Sequence, residues 1–140
     1  MLPKWSIIKT MASIFTRIVN GEIPSVKVHE DDKTMAIMDI NPIQRGQILV
    51  FPKAEVGTVW ELDDEDYLAL MDTVKRAGRK LRQRFPDRKV GVMIEGLEVT
   101  DHAHVKIFPF SNLSEYHSKP DLSKPPSKTE LEQLANELTF

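Results

Sequence analysis

The sequence predicts an α+β fold, an antiparallel sheet of about five strands with helices packed mainly on one face. The first observation is the order of its segments, which runs short helix, three strands, long helix, two strands and tail. The second is size, because 140 residues with 41% hydrophobic side chains are enough for one domain with a single core. No internal repeat complicates this prediction.

The first half of the chain shows clear signals at the ends of its segments. Ser13 is an N-cap candidate and Asn20-Gly21 is a stop signal, so residues 13–21 are predicted as a short helix. Turn-forming residues, Asp and Gly among them, then separate three strand-like runs. These runs are VKVHE, TMAIMDI and QILVFP, residues 26–30, 34–40 and 47–52, which most simply form a meander.

The second half is predicted to contain the longest helix and the last two strands. Residues 63–85 keep apolar side chains at helical spacing until Pro86 ends the helix. Strands are predicted at 89–95 and 104–108. Beyond Phe110 we expect an irregular polar tail, until the capping box SKTE at Ser127 begins a final helix reaching Leu138. The predicted division is an N-terminal extension (1–12), a central domain (13–110) and a tail with a short helix (111–140).

Composition excludes several classes of function. The absence of cysteine excludes disulfides, thiolate metal ligands and a cysteine nucleophile. A net charge of −2 argues against a dedicated nucleic-acid binder, whose phosphate contacts normally require a basic excess. No apolar run approaches the roughly 20 residues that span a bilayer, and the first ten residues do not resemble a secretory signal. We therefore expect a cytoplasmic protein without a membrane partner.

The residues best suited to chemistry lie in TDHAHVKIFPF, residues 100–110, where His102, His104 and Lys106 alternate with apolar side chains. On a strand they would form one ionisable face. One interpretation is a pair of strand histidines without a role. Another is a zinc site completed by His29, His117 or a carboxylate, although the lysine ammonium would repel a cation. The third, which we favour, is phosphate chemistry, because imidazole is a competent nucleophile and nearby positive charge stabilises phosphate oxygens.

A basic run at residues 75–89 is a second candidate surface, with eight basic residues and one acidic residue. The simpler interpretation is the solvated face of the long helix. The alternative is a phosphate or nucleic-acid contact, but no interleaved aromatic residues support it. The acidic run ELDDED just upstream would also offset the charge.

Three stretches resemble the histidine triad (HIT) family, and they follow one another along the chain in the order typical of that family. DHAHVKIFP is similar to the family signature, three histidines at alternate positions followed by proline. SIFTRIVNGEIPSVKVHEDD resembles the family's opening helix, Gly-Glu-Ile-Pro turn and strand. TMAIMDINPIQRGQILVFPK resembles the next block, with an aspartate before Ile-x-Pro and a strand ending in Pro-Lys. The resemblance covers residues 13–109 and is nearest the nucleoside phosphoramidase and dinucleoside polyphosphate hydrolase branches.

The resemblance implies an activity and a site. His104 would attack the α-phosphorus of a nucleotide conjugate, and water would then open the nucleotidyl-histidine to release a nucleoside monophosphate such as AMP. His102 would support it through a backbone carbonyl that orients the other ring nitrogen, and Asp39 would bind the ribose hydroxyls. Four apolar residues would sandwich the base, although plain core packing explains them equally well: Ile14, Phe15, Ile18 and Ile40.

The resemblance also implies that covalent catalysis requires no metal or other cofactor, with divalent cations only as companions of polyphosphate substrates. A homodimer built through the long helix and the sheet edge is a further implication. In these terms residues 13–110 would be the nucleotide-binding catalytic domain.

Four departures from the family pattern concern the candidate site. The third histidine position is Lys106, which can donate to a phosphate oxygen but cannot shuttle a proton near neutral pH without a depressed pKa. Glu55 stands where related sequences commonly have histidine, and Ile94 where asparagine is frequent. Thr100 resembles a one-residue insertion. The alternative to an enzyme is therefore a nucleotide-binding protein with little catalysis.

Overall fold

The computed structural model describes residues 12–96 and 101–140 and confirms the α+β fold. Residues 1–11 of the predicted extension and the insertion at Thr100 lie outside the described residues. The elements are α1 (Ile14–Val19), β1 (Lys27–Glu30), β2 (Thr34–Met38), β3 (Ile48–Pro52), a 3-10 helix (Val59–Glu61), α2 (Asp64–Arg84), β4 (Lys89–Met93), β5 (Val105–Phe110), α3 (Leu113–Tyr116) and α4 (Lys128–Leu138).

The five strands form one antiparallel sheet in the order β1-β2-β3-β5-β4. The predicted meander of the first three strands is present. The last strand inserts between β3 and β4, where Ile107 lies opposite Ile48 on one side and Val92 on the other. Because β5 is an inner strand, residues along it have neighbours on both sides.

The alternation of side chains divides the sheet into two apolar faces. One face packs against α2 and α4 in a core whose buried members include Met38, Val50, Ile107, Leu70, Leu81 and Leu138. The opposite face packs against α1 through Phe15, Ile18, Met35, Ile37 and Phe51. The expectation that helices lie mainly on one face therefore holds for the two longest helices, whereas α1 covers part of the other face.

Three of the helices begin at an N-cap residue, and two of these caps, Ser13 and Ser127, are predicted from the sequence. In each, the side-chain oxygen of the cap accepts a hydrogen bond from the amide three residues on, which satisfies a donor that the helix leaves unpaired. The pairs are Ser13 with Thr16 (3.1 Å), Asp63 with Asp66 (2.8 Å) and Ser127 with Glu130 (3.1 Å). In the predicted SKTE capping box, the amide of Glu130 donates to Ser127, while the carboxylate of Glu130 pairs with Arg45 and not with the start of the helix.

The strand predicted at 104–108 begins one residue later than expected. β5 begins at Val105, so His102 and His104 precede the strand. The reason lies opposite them, because β3 ends at Pro52, which has no amide proton, and its carbonyl accepts a side-chain hydrogen bond instead. β4 likewise ends at Met93, two residues before the predicted end.

The segment after Phe110 is less irregular than expected. Residues 113–116 form the short helix α3, whose N-cap Asn112 accepts from the amide of Glu115 at 3.0 Å. The ring of Tyr116 stacks on Phe108 with a centroid distance of 5.4 Å, which attaches α3 to β5. Within the described residues, no helix has both the length and the apolar character needed to cross a bilayer.

Truncation of Leu70 tests whether α2 packs as described. Leu70 is fully buried, whereas Leu68 on the same helix is 66% exposed. We expect Leu70→Ala to lower the free energy of unfolding by about 2–5 kcal/mol through lost burial and a cavity. The matched control Leu68→Ala should change it by no more than about 0.5 kcal/mol. Urea unfolding would measure both, and equal losses would contradict this orientation of α2.

Candidate active site

The histidine segment lies on the sheet face that carries α1. The ring of Phe15, from α1, stacks on Phe51 of β3 with a centroid distance of 4.5 Å. The same ring lies 5.5 Å from the ring of His102 and 5.2 Å from that of His104. Phe15 is itself buried, so the two imidazoles pack against an aromatic ring that is held in place.

The imidazole of His102 is fully buried and bonded at both nitrogens. Nε2 lies 2.7 Å from the carbonyl oxygen of Pro52, and Nδ1 lies 2.6 Å from the hydroxyl oxygen of Ser13. Since a carbonyl only accepts, Nε2 carries the proton and Nδ1 accepts from the serine hydroxyl. The same serine oxygen caps α1. One side chain therefore connects the start of α1 to the end of β3.

Burial favours this neutral form of His102, whereas the carboxylates of Glu55 and Asp101 favour the protonated form. Burial is the main cause that lowers the pKa of His102 below its ordinary value of 6.5. Glu55, one of the departures from the family pattern, accepts a hydrogen bond from the backbone amide of Ser13. That bond holds the pKa of Glu55 below its ordinary value and keeps a carboxylate near the imidazole. Glu55 therefore acts on the site through the first residues of α1.

Within the described residues, the ring of His104 is held by a hydrogen bond at Nδ1. Its Nδ1 lies 3.0 Å from the backbone carbonyl oxygen of His102, so Nδ1 donates and the lone pair resides on Nε2. Such a tautomer is what a nucleophilic imidazole requires. A small cleft beside the ring is lined by Gly57, Thr58, Ile94 and Gly96, among others. Ile94, another departure from the family pattern, thus lies at the site itself.

Lys106 is the only member of the predicted trio that lies within β5. It pairs with Leu49 of β3 and Met93 of β4, and its ammonium forms an ion pair with the carboxylate of Glu95. The lysine side chain is 20% exposed and that of the glutamate 29%. The carboxylate of Glu95 therefore compensates the lysine charge, which the sequence pattern did not indicate.

Asp39 follows β2 and is held by two hydrogen bonds. Its Oδ2 accepts from Nε2 of Gln47 at 2.6 Å, and its Oδ1 accepts from the amide of Asn41 at 2.8 Å. Asp39 is partly exposed, whereas Gln47 is buried. The carboxylate is therefore fixed in direction while part of it faces solvent.

The sheet register arranges these groups in rows on the face that carries α1. Asp39 and Gln47 lie in one row, Lys106 lies in the next beside Leu49, and His104 lies beyond it towards Phe51. Rows that share a face are about 7 Å apart. The sheet therefore places three residues next to one another on one surface: Asp39, predicted to bind ribose, Lys106, predicted to bind phosphate, and His104, the predicted nucleophile.

The four residues expected to sandwich a base divide into two pairs. Phe15 and Ile18 are buried in the apolar cluster under α1, so packing alone accounts for them. Ile14 is 47% exposed and Ile40 is 63% exposed. Large apolar side chains at such exposures are not explained by the core, and both stay predicted contacts for a base.

The alternative ligands for a zinc site are placed elsewhere. His29 lies on β1, where its ring nitrogens contact Asp31 and the backbone oxygen of Phe140, and His117 follows α3 at an exposed position. Within residues 12–96 and 101–140, no group of three or more His, Asp or Glu side chains is arranged to hold a metal ion.

The basic run on α2 and the residues after it has contacts typical of a solvated face. Arg84 forms an ion pair with Glu137, and Arg76 lies over the ring of Phe140 at 5.0 Å. Arg88 lies over the ring of Phe85 at 5.5 Å. The pair between Arg84 and Glu137 joins α2 to α4, and the other contacts are between neighbouring side chains, which favours the simpler interpretation of the run.

Three site residues were not identified from the sequence as such: Ser13 beyond its role as a cap, Gln47 and Glu95. The available signals were weak. Gln47 is a polar residue at the start of an otherwise apolar strand, and Glu95 is an acid close to the unusual Ile94. Neither signal shows which partner the side chain meets, because Asp39 and Lys106 belong to other segments of the sheet.

Comparison with known proteins places the chain in a family. A model of the HIT domain matches residues 20–113. The adenosine 5'-monophosphoramidase of Schizosaccharomyces pombe is 32% identical over 105 residues, covering 73% of this chain and 77% of that protein. A protein named hit from Bacillus subtilis is 32% identical over 100 residues, 69% of each chain.

A solved structure shares the fold. A HIT-like protein from Bartonella henselae, described as involved in cell-cycle regulation, superposes with a TM-score of 0.78 at 26% identity. The match covers 90% of this chain and 93% of that one. With the family model, the two relatives and the placement of His102 and His104 beside α1, these findings show that the chain belongs to the HIT family.

Proposed function

We propose that the protein hydrolyses a nucleoside 5'-phosphate conjugate, a phosphoramidate or a dinucleoside polyphosphate, through a covalent intermediate on His104. The observation that carries the proposal is the 3.0 Å contact between Nδ1 of His104 and the carbonyl of His102. It directs the proton to Nδ1 and leaves the Nε2 lone pair for attack. Membership of the HIT family, with a relative named as a phosphoramidase, supports the same class of substrate.

The reaction would proceed in two displacements at phosphorus. Nε2 of His104 attacks the α-phosphorus, and the bond from phosphorus to the leaving amine or phosphate breaks with its electron pair. A leaving amine also takes up a proton from solvent, and the attacking water of the second displacement returns one. Water then attacks the same phosphorus, the bond to Nε2 breaks, and a nucleoside monophosphate departs from a regenerated imidazole. A transfer to another acceptor would differ only in the group that replaces water.

Binding would rest on the row of groups beside His104. The Asp39 carboxylate can accept hydrogen bonds from both ribose hydroxyls. Ile14 and Ile40, which are exposed, offer apolar surface to a base. Lys106 offers a positive charge to phosphate oxygens, in exchange for or together with its pair to Glu95.

His102 would act as a positioning residue for the nucleophile. Its carbonyl orients His104, and its own ring is fixed by Ser13 and Pro52. Because the ring is buried and its pKa is lowered, the neutral form is favoured near pH 7. Protonation of Nδ1 would replace an acceptor by a donor and oppose the hydrogen bond from Ser13.

A second candidate function is nucleotide binding with little turnover. It is favoured by Lys106, whose ammonium pairs with Glu95 and which has no imidazole to pass a proton to the leaving group. Calorimetry with AMP beside a sensitive turnover assay separates the two, since binding without turnover supports this candidate. In either case we propose a cytoplasmic homodimer that needs no bound cofactor for covalent chemistry, with divalent cations accompanying only polyphosphate substrates.

Removal of the nucleophile is the first test. We expect His104→Ala to lower turnover of an adenosine phosphoramidate by about 10³-fold or more, because no other group supplies the attacking lone pair. Its unfolding midpoint should stay near that of the wild type. His117→Ala, the same change at an exposed histidine, is the control and should keep full activity. Turnover by His104→Ala at the wild-type rate would contradict the covalent mechanism.

The buried state of His102 predicts how stability depends on pH. Its folded pKa lies below the unfolded value of 6.5, so the unfolded chain binds the additional proton as pH falls. The contribution of His102 is complete above about pH 6.5 and declines below it, towards the folded pKa. Urea unfolding between about pH 7.5 and pH 5.5 should therefore show a smaller loss of stability in His102→Gln than in the wild type. His117→Gln is the control, and identical pH dependence in His102→Gln and wild type would argue against a buried neutral imidazole.

Lys106→His tests proton transfer to the leaving group. A phosphoramidate must protonate its leaving amine, whereas the p-nitrophenyl ester of AMP expels a stable phenolate. We expect the variant to raise kcat for the phosphoramidate by about 10²–10⁴-fold, the usual contribution of a general acid, with little change for the ester. Lys106→Met, which removes the charge without adding a proton donor, is the control. An unchanged ratio of the two rates would show that the lysine is no catalytic handicap.

A further inference from the structure

We propose that Gln47 is a positioning residue that orients the Asp39 carboxylate and so sets the preference for a nucleotide with ribose hydroxyls. The inference rests on the proposed function, in which Asp39 binds the ribose. It adds a buried side chain that would touch no part of the substrate. Its effect would reach the ligand through one hydrogen bond, from Nε2 of Gln47 to Oδ2 of Asp39 at 2.6 Å.

The amide of Gln47 has only one orientation that satisfies its surroundings. Its Oε1 accepts a hydrogen bond from the backbone amide of Ile43 at 2.9 Å, so the NH₂ group must face Asp39. Gln47 is 1% exposed. If the buried amide were turned the other way, its Oε1 would face the Asp39 carboxylate and its NH₂ group would face the amide of Ile43, so both hydrogen bonds would be lost. The backbone adds a further link, because the amide of Asp39 donates to the carbonyl of Gln47 at 3.0 Å. The donor that Gln47 presents to the carboxylate is therefore fixed in position.

This contact leaves the carboxylate the capacity that a ribose requires. An ionised carboxylate offers about four acceptor positions. Gln47 occupies one on Oδ2, and the amide of Asn41 occupies one on Oδ1 at 2.8 Å. One position then remains on each oxygen, which matches two hydroxyls on neighbouring carbon atoms. Without Gln47, only the amide of Asn41 would hold the carboxylate, which could then turn more freely about its Cβ–Cγ bond.

Other residues at this position would not perform the same task. A glutamate would face the Asp39 carboxylate with a second negative charge. A leucine or methionine would provide no donor to Asp39 and would leave the amide of Ile43 without its partner. Glutamine supplies a donor at one end and an acceptor at the other with no net charge. That combination connects the loop after β2 to the carboxylate that it presents.

The experiment compares two ligands in two proteins. Calorimetry would measure the affinities for AMP and for 2',3'-dideoxy-AMP, which lacks both ribose hydroxyls. We expect Gln47→Met to weaken AMP binding about tenfold, since a hydrogen bond to a charged group is lost. Binding of the dideoxy ligand should be nearly unchanged, because it makes no use of the carboxylate. Gln44→Met is the matched control, since that glutamine donates to Ser118 at 2.9 Å and to the carbonyl of Glu115, away from Asp39.

The outcomes separate this inference from the proposed function. A wild-type protein that binds the two ligands equally well would overturn the role of Asp39, and the role of Gln47 with it. If the wild type and Gln47→Met prefer AMP over the dideoxy ligand to the same degree, the role of Gln47 alone is overturned. Equal weakening of both ligands would indicate a structural role only. Should Gln47→Met fail to fold, Gln47→Asn, which keeps the amide but shortens its reach, would be judged by the same ratio.

Discussion

The buried imidazole of His102 connects elements that the chain places far apart. Nε2 donates to the last carbonyl of β3, and Nδ1 accepts from the serine that caps α1. Its own backbone carbonyl accepts from His104. Because both ring nitrogens are committed, the ring cannot turn or change tautomer without losing a buried hydrogen bond. The direction of the candidate nucleophile therefore depends on how α1 and β3 are packed.

The charges near this centre are arranged in compensated pairs. Glu55 meets the amide of Ser13 at the start of α1, where a negative charge is favoured. Lys106 meets Glu95 across the edge of the sheet. Two of the three substituted positions described in the structure thus bring an ionisable group together with a partner. The charged groups of the site therefore differ from those of the family pattern, while Nδ1 of His104 is still held by the carbonyl of His102.

Local sequence was sufficient for most of the secondary structure. Caps predicted at Ser13 and Ser127 marked the starts of two helices, because a cap and its amide partner lie within one turn of each other. Turn residues likewise separated the first three strands. The predicted start of β5 at His104 was one residue early, because the hydrogen-bond partner at the entry to this strand, Pro52, lies fifty positions before His102 in the sequence.

The sequence by itself determined the residue types of the site and the family to which they belong. Two local patterns can be recognised without knowledge of the fold: the alternation of His102, His104 and Lys106, and the aspartate before Ile-x-Pro. Only the tertiary structure decided what each group meets: Ser13 with His102, Gln47 with Asp39, and Glu95 with Lys106. Each of these contacts joins different elements or their ends, and its geometry arises from sheet register and helix packing rather than from spacing along the chain. The separation of exposed Ile14 and Ile40 from buried Phe15 and Ile18 has the same origin, since burial is a property of the assembled faces.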